Sequence, residues 1–100
     1  MNKIILLGRL TRNPIIKLSN GTTIANFTLA VTRNVKNNGK EEADYLNCSV
    51  FDKKAVFVEQ YLKQGSRIIV FGRLHNNNYL GKDGQIIYRI HIIVDEIEFA

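Results

Sequence analysis

The chain is 100 residues long, the size of one domain with one core and too short for two. Hydrophobic residues make up 45% and charged residues 23%, which excludes a disordered chain, and no run approaches the ~18 apolar residues that would cross a bilayer. The net charge of +5 and a pI near 9.6 point to a polyanionic partner, while the lack of a polybasic block argues against a membrane surface.

Met1-Asn2-Lys3 leads straight into Ile4-Ile5-Leu6-Leu7, which is too short for a signal-peptide core and has no small-residue cleavage site after it. Lys3 to Leu10 reads as a first strand that stops at the turn-forming Arg12-Asn13-Pro14. Ile15 to Leu18 adds a short strand before the turn Ser19-Asn20-Gly21. From Thr22 to Arg33 the pattern has period two. Ala25, Phe27, Leu29 and Val31 share one face, and Asn26, Thr28, Ala30 and Thr32 share the other. Asn37-Asn38-Gly39-Lys40 makes a polar loop.

Tyr45 to Phe51 alternates again and is the most informative stretch. Leu46, Cys48 and Val50 form an apolar face that looks into the core. Tyr45, Asn47, Ser49 and Phe51 form the other face, polar in the middle with an aromatic at each end. A wholly buried strand would not carry Asn and Ser there, and a plain solvent face would not usually carry two aromatics. Cys48 is the single cysteine, so an intramolecular disulfide is excluded and a reducing, cytoplasmic setting is expected.

Asp52 reads as the N-cap of a helix from Lys53 to Gln64, ended by Gly65, with Ala55, Val58, Tyr61 and Leu62 on its buried side. Arg67 to Phe71 carries a continuous apolar run, as in a strand covered on both faces, and Gly72 marks a bulge or bend. His75 to Ile87 is a polar hairpin that reverses at Asp83-Gly84. The last strand, Tyr88 to Phe99, alternates Tyr88, Ile90, Ile92 and Val94 against Arg89, His91, Ile93 and Asp95. Phe27, Phe57, Phe71 and Phe99 are assigned to the core. This order predicts an all-β fold with one short helix. It fits the five-stranded OB-fold, a Greek-key barrel with a long hairpin between strands 4 and 5, built as a single domain over residues 1–100, though other small barrels share the strand count.

Five stretches then point to a family. They are Met1-Asn2-Lys3-Ile4-Ile5-Leu6-Leu7-Gly8-Arg9-Leu10-Thr11-Arg12-Asn13-Pro14, Asn20-Gly21-Thr22-Thr23-Ile24-Ala25-Asn26-Phe27-Thr28-Leu29-Ala30-Val31, and Tyr61-Leu62-Lys63-Gln64-Gly65-Ser66. Phe71-Gly72-Arg73-Leu74, and Asp83-Gly84-Gln85 followed by Tyr88, complete the set. In register from residue 1 to about residue 99, the chain resembles bacterial single-stranded DNA-binding proteins. The resemblance implies a cytoplasmic, nucleoid-associated OB-fold protein, usually a homotetramer, with a dimer as the alternative. Such proteins coat single strands in replication, recombination and repair, with little sequence preference and no cofactor.

The chain departs from that family at three places. A stacking position after the second strand, often Trp, falls on Val35, and a His near the subunit interface of some members is Leu46 here. The acidic-tipped tail that recruits other replication proteins has no counterpart in these residues. Asp95, Glu96 and Glu98 fall in the last strand, so tail-mediated recruitment is not expected of them.

Single-strand binding needs a basic groove for phosphates and flat π surfaces for bases. Tyr45, Phe51 and Tyr79 match the family's stacking positions, and Tyr88 is the next candidate. Arg33, Lys36 and Lys40 flank the loop after the second strand, and Lys53 opens the helix beside Phe51. Arg73 ends the fourth strand, and Lys82 and Arg89 belong to the hairpin and last strand. These seven are the candidate phosphate contacts. The chain has no Trp, so binding per site is expected to be weaker than in a Trp-bearing relative.

No spacing of carboxylates suggests a metal-dependent nuclease, and His75 and His91 stand apart from Cys48 in any ligand-like spacing. An enzyme is therefore not expected, nor a metal. The competing reading is a primosome-type OB-fold accessory acting mainly through protein contacts. RNA stays open as a ligand, because stacking does not consult the 2′-hydroxyl.

Overall fold

A computed structural model of the chain describes residues 1–33 and 42–100. The strands are β1 (Ile4–Leu10), β2 (Ile15–Ser19), β3 (Thr22–Thr32) and β4 (Ala43–Phe51), followed by helix α1 (Lys53–Tyr61). Then come β5 (Arg67–Asn76), the short β6 (Tyr79–Leu80) and β7 (Ile86–Ile87), and β8 (Ile90–Phe99). The main sheet runs β1-β5-β8-β4-β3-β2, and β1 also pairs with β3. That extra pairing closes β1, β5, β8, β4 and β3 into the expected five-stranded barrel, with β2 as a flap on β3. Residues 34–41, including Val35, Lys36, Lys40 and the loop Asn37-Asn38-Gly39-Lys40, lie outside the described residues.

The core follows from period-two strands whose inner faces converge. Leu10, Ala25, Phe27, Leu29, Cys48, Val50, Ile68, Val70, Ile92 and Val94 are all buried. Ala55 and Val58 of α1, with Leu62 just after it, complete the core. Each of these larger side chains, removed from water, contributes roughly 1.5–3 kcal/mol.

Gly72 sits at the bulge expected there. Pairing skips between Phe71↔Glu96 and Gly72↔Val94, leaving Asp95 as the extra residue on β8. A Cβ on Gly72 would strike the Ile93 carbonyl, so the close approach requires glycine. The bulge also switches the inward face of β8. Ile92 and Val94 point inward before it, whereas Ile97 and Phe99 lie opposite the inward-facing Val70 and Ile68 after it.

Several local expectations change. The helix stops at Tyr61, because Leu62 has extended backbone (φ −110°, ψ 141°), and the turn is closed by Gly65 N–H donating to the Leu10 carbonyl at 2.8 Å. Asp52 makes no side-chain cap. Its N–H is still held by the Thr23 carbonyl (2.9 Å) at the end of the β3–β4 ladder, so the chain reverses at once through φ 61°, ψ −131°, outside the geometry that a capping side chain needs. Tyr61 is 61% exposed rather than buried, and stacks at a tilt on Phe57, 5.0 Å between centroids.

Of the four core phenylalanines expected, Phe27 is buried and Phe57 packs against the core. Phe99 faces inward but stands at the rim, exposed, with its ring 5.7 Å from that of Phe57. Phe71 is half-buried on the outer face of β5, as is Ile69, so the apolar run of this strand is covered on one side only within the subunit. Pairing of β5 with β8 continues to Asn76↔Ile90, which shortens the hairpin. The chain reverses at Gly84 (φ 80°), between β6 and β7.

Candidate nucleic-acid interface

The interface begins with the alternation of β4. Cys48 and Val50 enter the core, and Tyr45, Asn47, Ser49 and Phe51 take the opposite face. Across the β3–β4 ladder these four pair with Ala30, Thr28, Asn26 and Ile24. The result is a polar floor with a ring at each end, Tyr45 68% and Phe51 38% exposed. Six residue steps separate the rings, about 20 Å along the strand at ~3.3 Å per residue.

A groove of about 670 Å³ opens over this floor. Asn26, Thr28, Tyr45 and Asn47 line it. The β1–β2 turn adds Thr11, Arg12 and Asn13, and the β5–β8 arm adds Asn77 and His91. Asn13 is fixed in place by accepting the Gln64 N–H at 2.8 Å. Phe51 lies on the same face beyond the groove's lining. Tyr79 and Tyr88 stand on the β6–β7 hairpin and just after it, both exposed.

The floor is hydrogen-bonded within itself. Thr28 Oγ1 donates to Asn47 Oδ1 at 3.0 Å, and the buried Ser49 hydroxyl donates to Asn26 Oδ1. Ser49 Oγ also lies 2.6 Å from His91 Nε2. Ser49 thus bridges Asn26 on β3 and His91 on β8, with the donor and acceptor roles at His91 Nε2 following its tautomer. Burial, and then repulsion from His75, lower the pKa of His91. Beneath the floor, burial alone pushes the Cys48 thiol up to about 12.

The described cationic candidates occupy different settings. Arg33 binds Asp44 at 2.7 Å and Glu42 at 2.8 Å, so a phosphate there would compete with two carboxylates. The Arg33 hydrogen bond lowers the pKa of Asp44. Arg73 lies 3.7 Å from Asp95. Arg89 lies over the Tyr79 ring, 4.9 Å from its centroid, which places a cation beside a candidate stacking surface. Lys53 and Lys82 are exposed.

Sequence reasoning missed Arg12, Asn26, Thr28, Asn77 and His91 as groove residues. The signal for Asn26 and Thr28 was their place opposite the apolar face of β3. Arg12 and Asn77 sit in turns, where sequence offers no comparable pattern.

Among the described residues, no group of three or more His, Cys, Asp or Glu is placed to hold a metal ion. No helix among them is long and apolar enough to cross a membrane.

A closed five-stranded barrel with an open, aromatic-edged groove on its β3–β4 face defines an OB-fold binding module. The family model of the single-strand binding protein family matches residues 1–100, and the chain belongs to that family. It is 44% identical over 101 residues to a single-stranded DNA-binding protein of Bacillus cereus, covering 99% of this chain and 59% of the relative. Similar relatives are the single-stranded DNA-binding protein 1 of Staphylococcus aureus (46% identical, 99% of this chain and 65% of the relative) and a single-stranded DNA-binding protein of Oceanobacillus iheyensis (38%, 99% and 63%). The chain thus spans less than two thirds of the length of these curated relatives.

Proposed function

We propose that this chain binds single-stranded DNA without strict sequence preference, by electrostatic capture followed by stacking of bases on Tyr45, Phe51, Tyr79 and Tyr88. The observation that carries the reading is the outer β4 row, whose exposed rings Tyr45 and Phe51 flank Asn47 and Ser49, with Tyr45 and Asn47 lining an open groove on a basic protein. Rings in solvent lose water when a base covers them, and every base has a π face, so stacking tolerates sequence. Duplex is excluded because its bases are already stacked on one another. Arg33, Lys36, Lys40, Lys53, Arg73, Lys82 and Arg89 take the phosphates, releasing counterions and making affinity fall with salt. The protein acts by binding and needs no cofactor. Its setting is the cytoplasm, on nucleoid DNA exposed in replication, recombination and repair.

We further propose assembly into a homotetramer through β1 and its outer face. Among the described residues β1 pairs from Ile4 to Gly8 with β5 alone, and β3 joins at Arg9 and Leu10, so the other edge of Ile4 to Gly8 has no ladder partner among them. On the same sheet Ile5 and Leu7 are exposed opposite the half-buried Phe71 and Ile69. A second copy would cover this apolar face.

Fluorescence anisotropy with labelled single-stranded and duplex oligonucleotides of equal length, at two salt concentrations, tests the function. Salt-sensitive binding of the single strand alone supports it. Binding of neither strand would turn the reading toward an accessory that works through protein contacts.

A further inference from the structure

Resting on the single-strand reading above, we propose that Asn2 is a positioning residue for that function, because its side chain pins the root of the arm that carries Tyr79, Tyr88 and Arg89. Among the described residues, β5 loses its β1 partner beyond Gly72, and β8 has no β4 partner before Ile92. From there the two strands pair with each other, at His75↔His91 and Asn76↔Ile90. The arm therefore leaves the barrel with no ladder on either outer edge among these residues.

Side chains take over where the ladders stop. The Ile4↔Gly72 pair sets a register that brings Asn2 opposite Leu74, although β1 itself begins only at Ile4. There the Asn2 amide does what a main-chain partner would do. Its Nδ2 donates to the Leu74 carbonyl at 2.8 Å, and its Oδ1 accepts the Leu74 N–H at 2.9 Å. An Asn amide carries a donor and an acceptor side by side, so it can satisfy both peptide groups of one residue. On the β8 edge, Ser49 Oγ meets His91 Nε2 at 2.6 Å. The root is held from both sides.

What is pinned at the root is felt at the rings. The Asn77 N–H donates to the Arg89 carbonyl at 2.9 Å, the Arg89 N–H donates to Asn78 Oδ1 at 3.2 Å, and Tyr79 pairs with Ile87. These bonds join root to tip, so the arm tilts as one body. Tyr79 lies five residues beyond Leu74, at most about 17 Å away at ~3.3 Å per residue, with Arg89 over its ring. A tilt at the root swings both away from the β4 face. With the root pinned, the rings are in place before a strand arrives, and less ordering is left for binding to impose. Without Asn2, only part of the population has the arm in place, and apparent affinity falls with that fraction.

The test measures oligo(dT) affinity by anisotropy for Asn2→Ala in three backgrounds. In the parent it should weaken binding about three- to tenfold, the value of one net hydrogen bond. In Tyr45→Ala, whose missing ring stands on β4, the same loss should recur. In a protein already carrying Tyr79→Ala, Tyr88→Ala and Arg89→Ala, the arm has nothing left to position, and Asn2→Ala should add almost no loss. Amide hydrogen exchange reads the pin independently. The Leu74 N–H should be protected in the parent and exchange freely in Asn2→Ala. Equal losses in all three backgrounds would mean a general loosening of the fold and overturn the positioning role. Parent-like affinity in Asn2→Ala overturns it too, as does a Leu74 N–H that stays protected there, and single-strand binding survives each of these results. If the parent binds no single strand, the underlying function fails and the role of Asn2 with it.

Discussion

Ser49 Oγ lies 2.6 Å from His91 Nε2, joining β4 to β8 where those strands run parallel. Cys48↔Ile92 and Ser49↔Ile93 are the two pairs along that seam, so the side-chain bond reinforces a short ladder. His91 has its folded pKa lowered by burial and by His75. The unfolded chain, titrating near 6.5, therefore binds the proton first as pH falls. Stability is unaffected above that pH and declines below it. Thermal melting between pH 8 and pH 5 should show this decline. His91→Gln, which keeps an NH donor for Ser49 but does not titrate, should flatten it, and an unchanged slope would remove His91 as the cause.

Two backbone sites respond to glycine in opposite senses. Asp52 holds φ 61°, ψ −131° with no side-chain hydrogen bond at the helix start, a conformation that costs a residue with a Cβ about 1–3 kcal/mol. Asp52→Gly should therefore stabilise by about 1 kcal/mol, raising Tm by roughly 4–8 °C in a domain of this size. Gly72→Ala drives a Cβ into the Ile93 carbonyl and should destabilise by about 1–3 kcal/mol. Calorimetry on both variants checks the signs, and a stabilised Gly72→Ala would contradict the bulge geometry.

Cys48 has no exposed surface, and burial pushes its thiol up to about 12. At pH 8 it should stay unmodified by a thiol-specific chromogenic reagent and react within seconds once denaturant unfolds the chain. Rapid reaction in the native protein would place Cys48 outside the core.

Ile5 is 66% exposed on the outer face of β1. Ile5→Glu puts a charge where the second copy is proposed to sit, at little cost to a lone subunit. Sedimentation at micromolar concentration should give a tetramer for the parent and a smaller species for the variant. A parent that sediments as a monomer would remove the assembly.

How far the sequence could be read depended on how local each signal was. The faces of β3 and β4 were legible because the sequence alternates from Ala25 to Thr32 and from Tyr45 to Phe51, although Ser49 is itself buried. The aromatic pair at the ends of β4 follows from that alone. Tyr61 was misplaced because helical spacing alone put it on the buried side, whereas it stands exposed in the last turn with its ring against Phe57. The rim position of Phe99 depends on the β8 bulge at Asp95, which changes the inward parity and is set by pairing with Gly72. The orientation of the Asn26 and Asn47 amides was out of reach for the same reason. It arises from partners on the neighbouring strand, Ser49 and Thr28.

Titrating the protein's intrinsic tyrosine fluorescence with oligo(dT), in parent and Tyr45→Ala forms, tests the stacking mechanism most directly. Tyr61→Ala serves as a control, because Tyr61 is equally open but sits on α1 against Phe57. The parent should be strongly quenched, and Tyr45→Ala should lose roughly 1–3 kcal/mol of binding, about five- to 150-fold in affinity, while Tyr61→Ala binds like the parent. Full affinity in Tyr45→Ala, or equal losses in both variants, would contradict stacking on the β4 face.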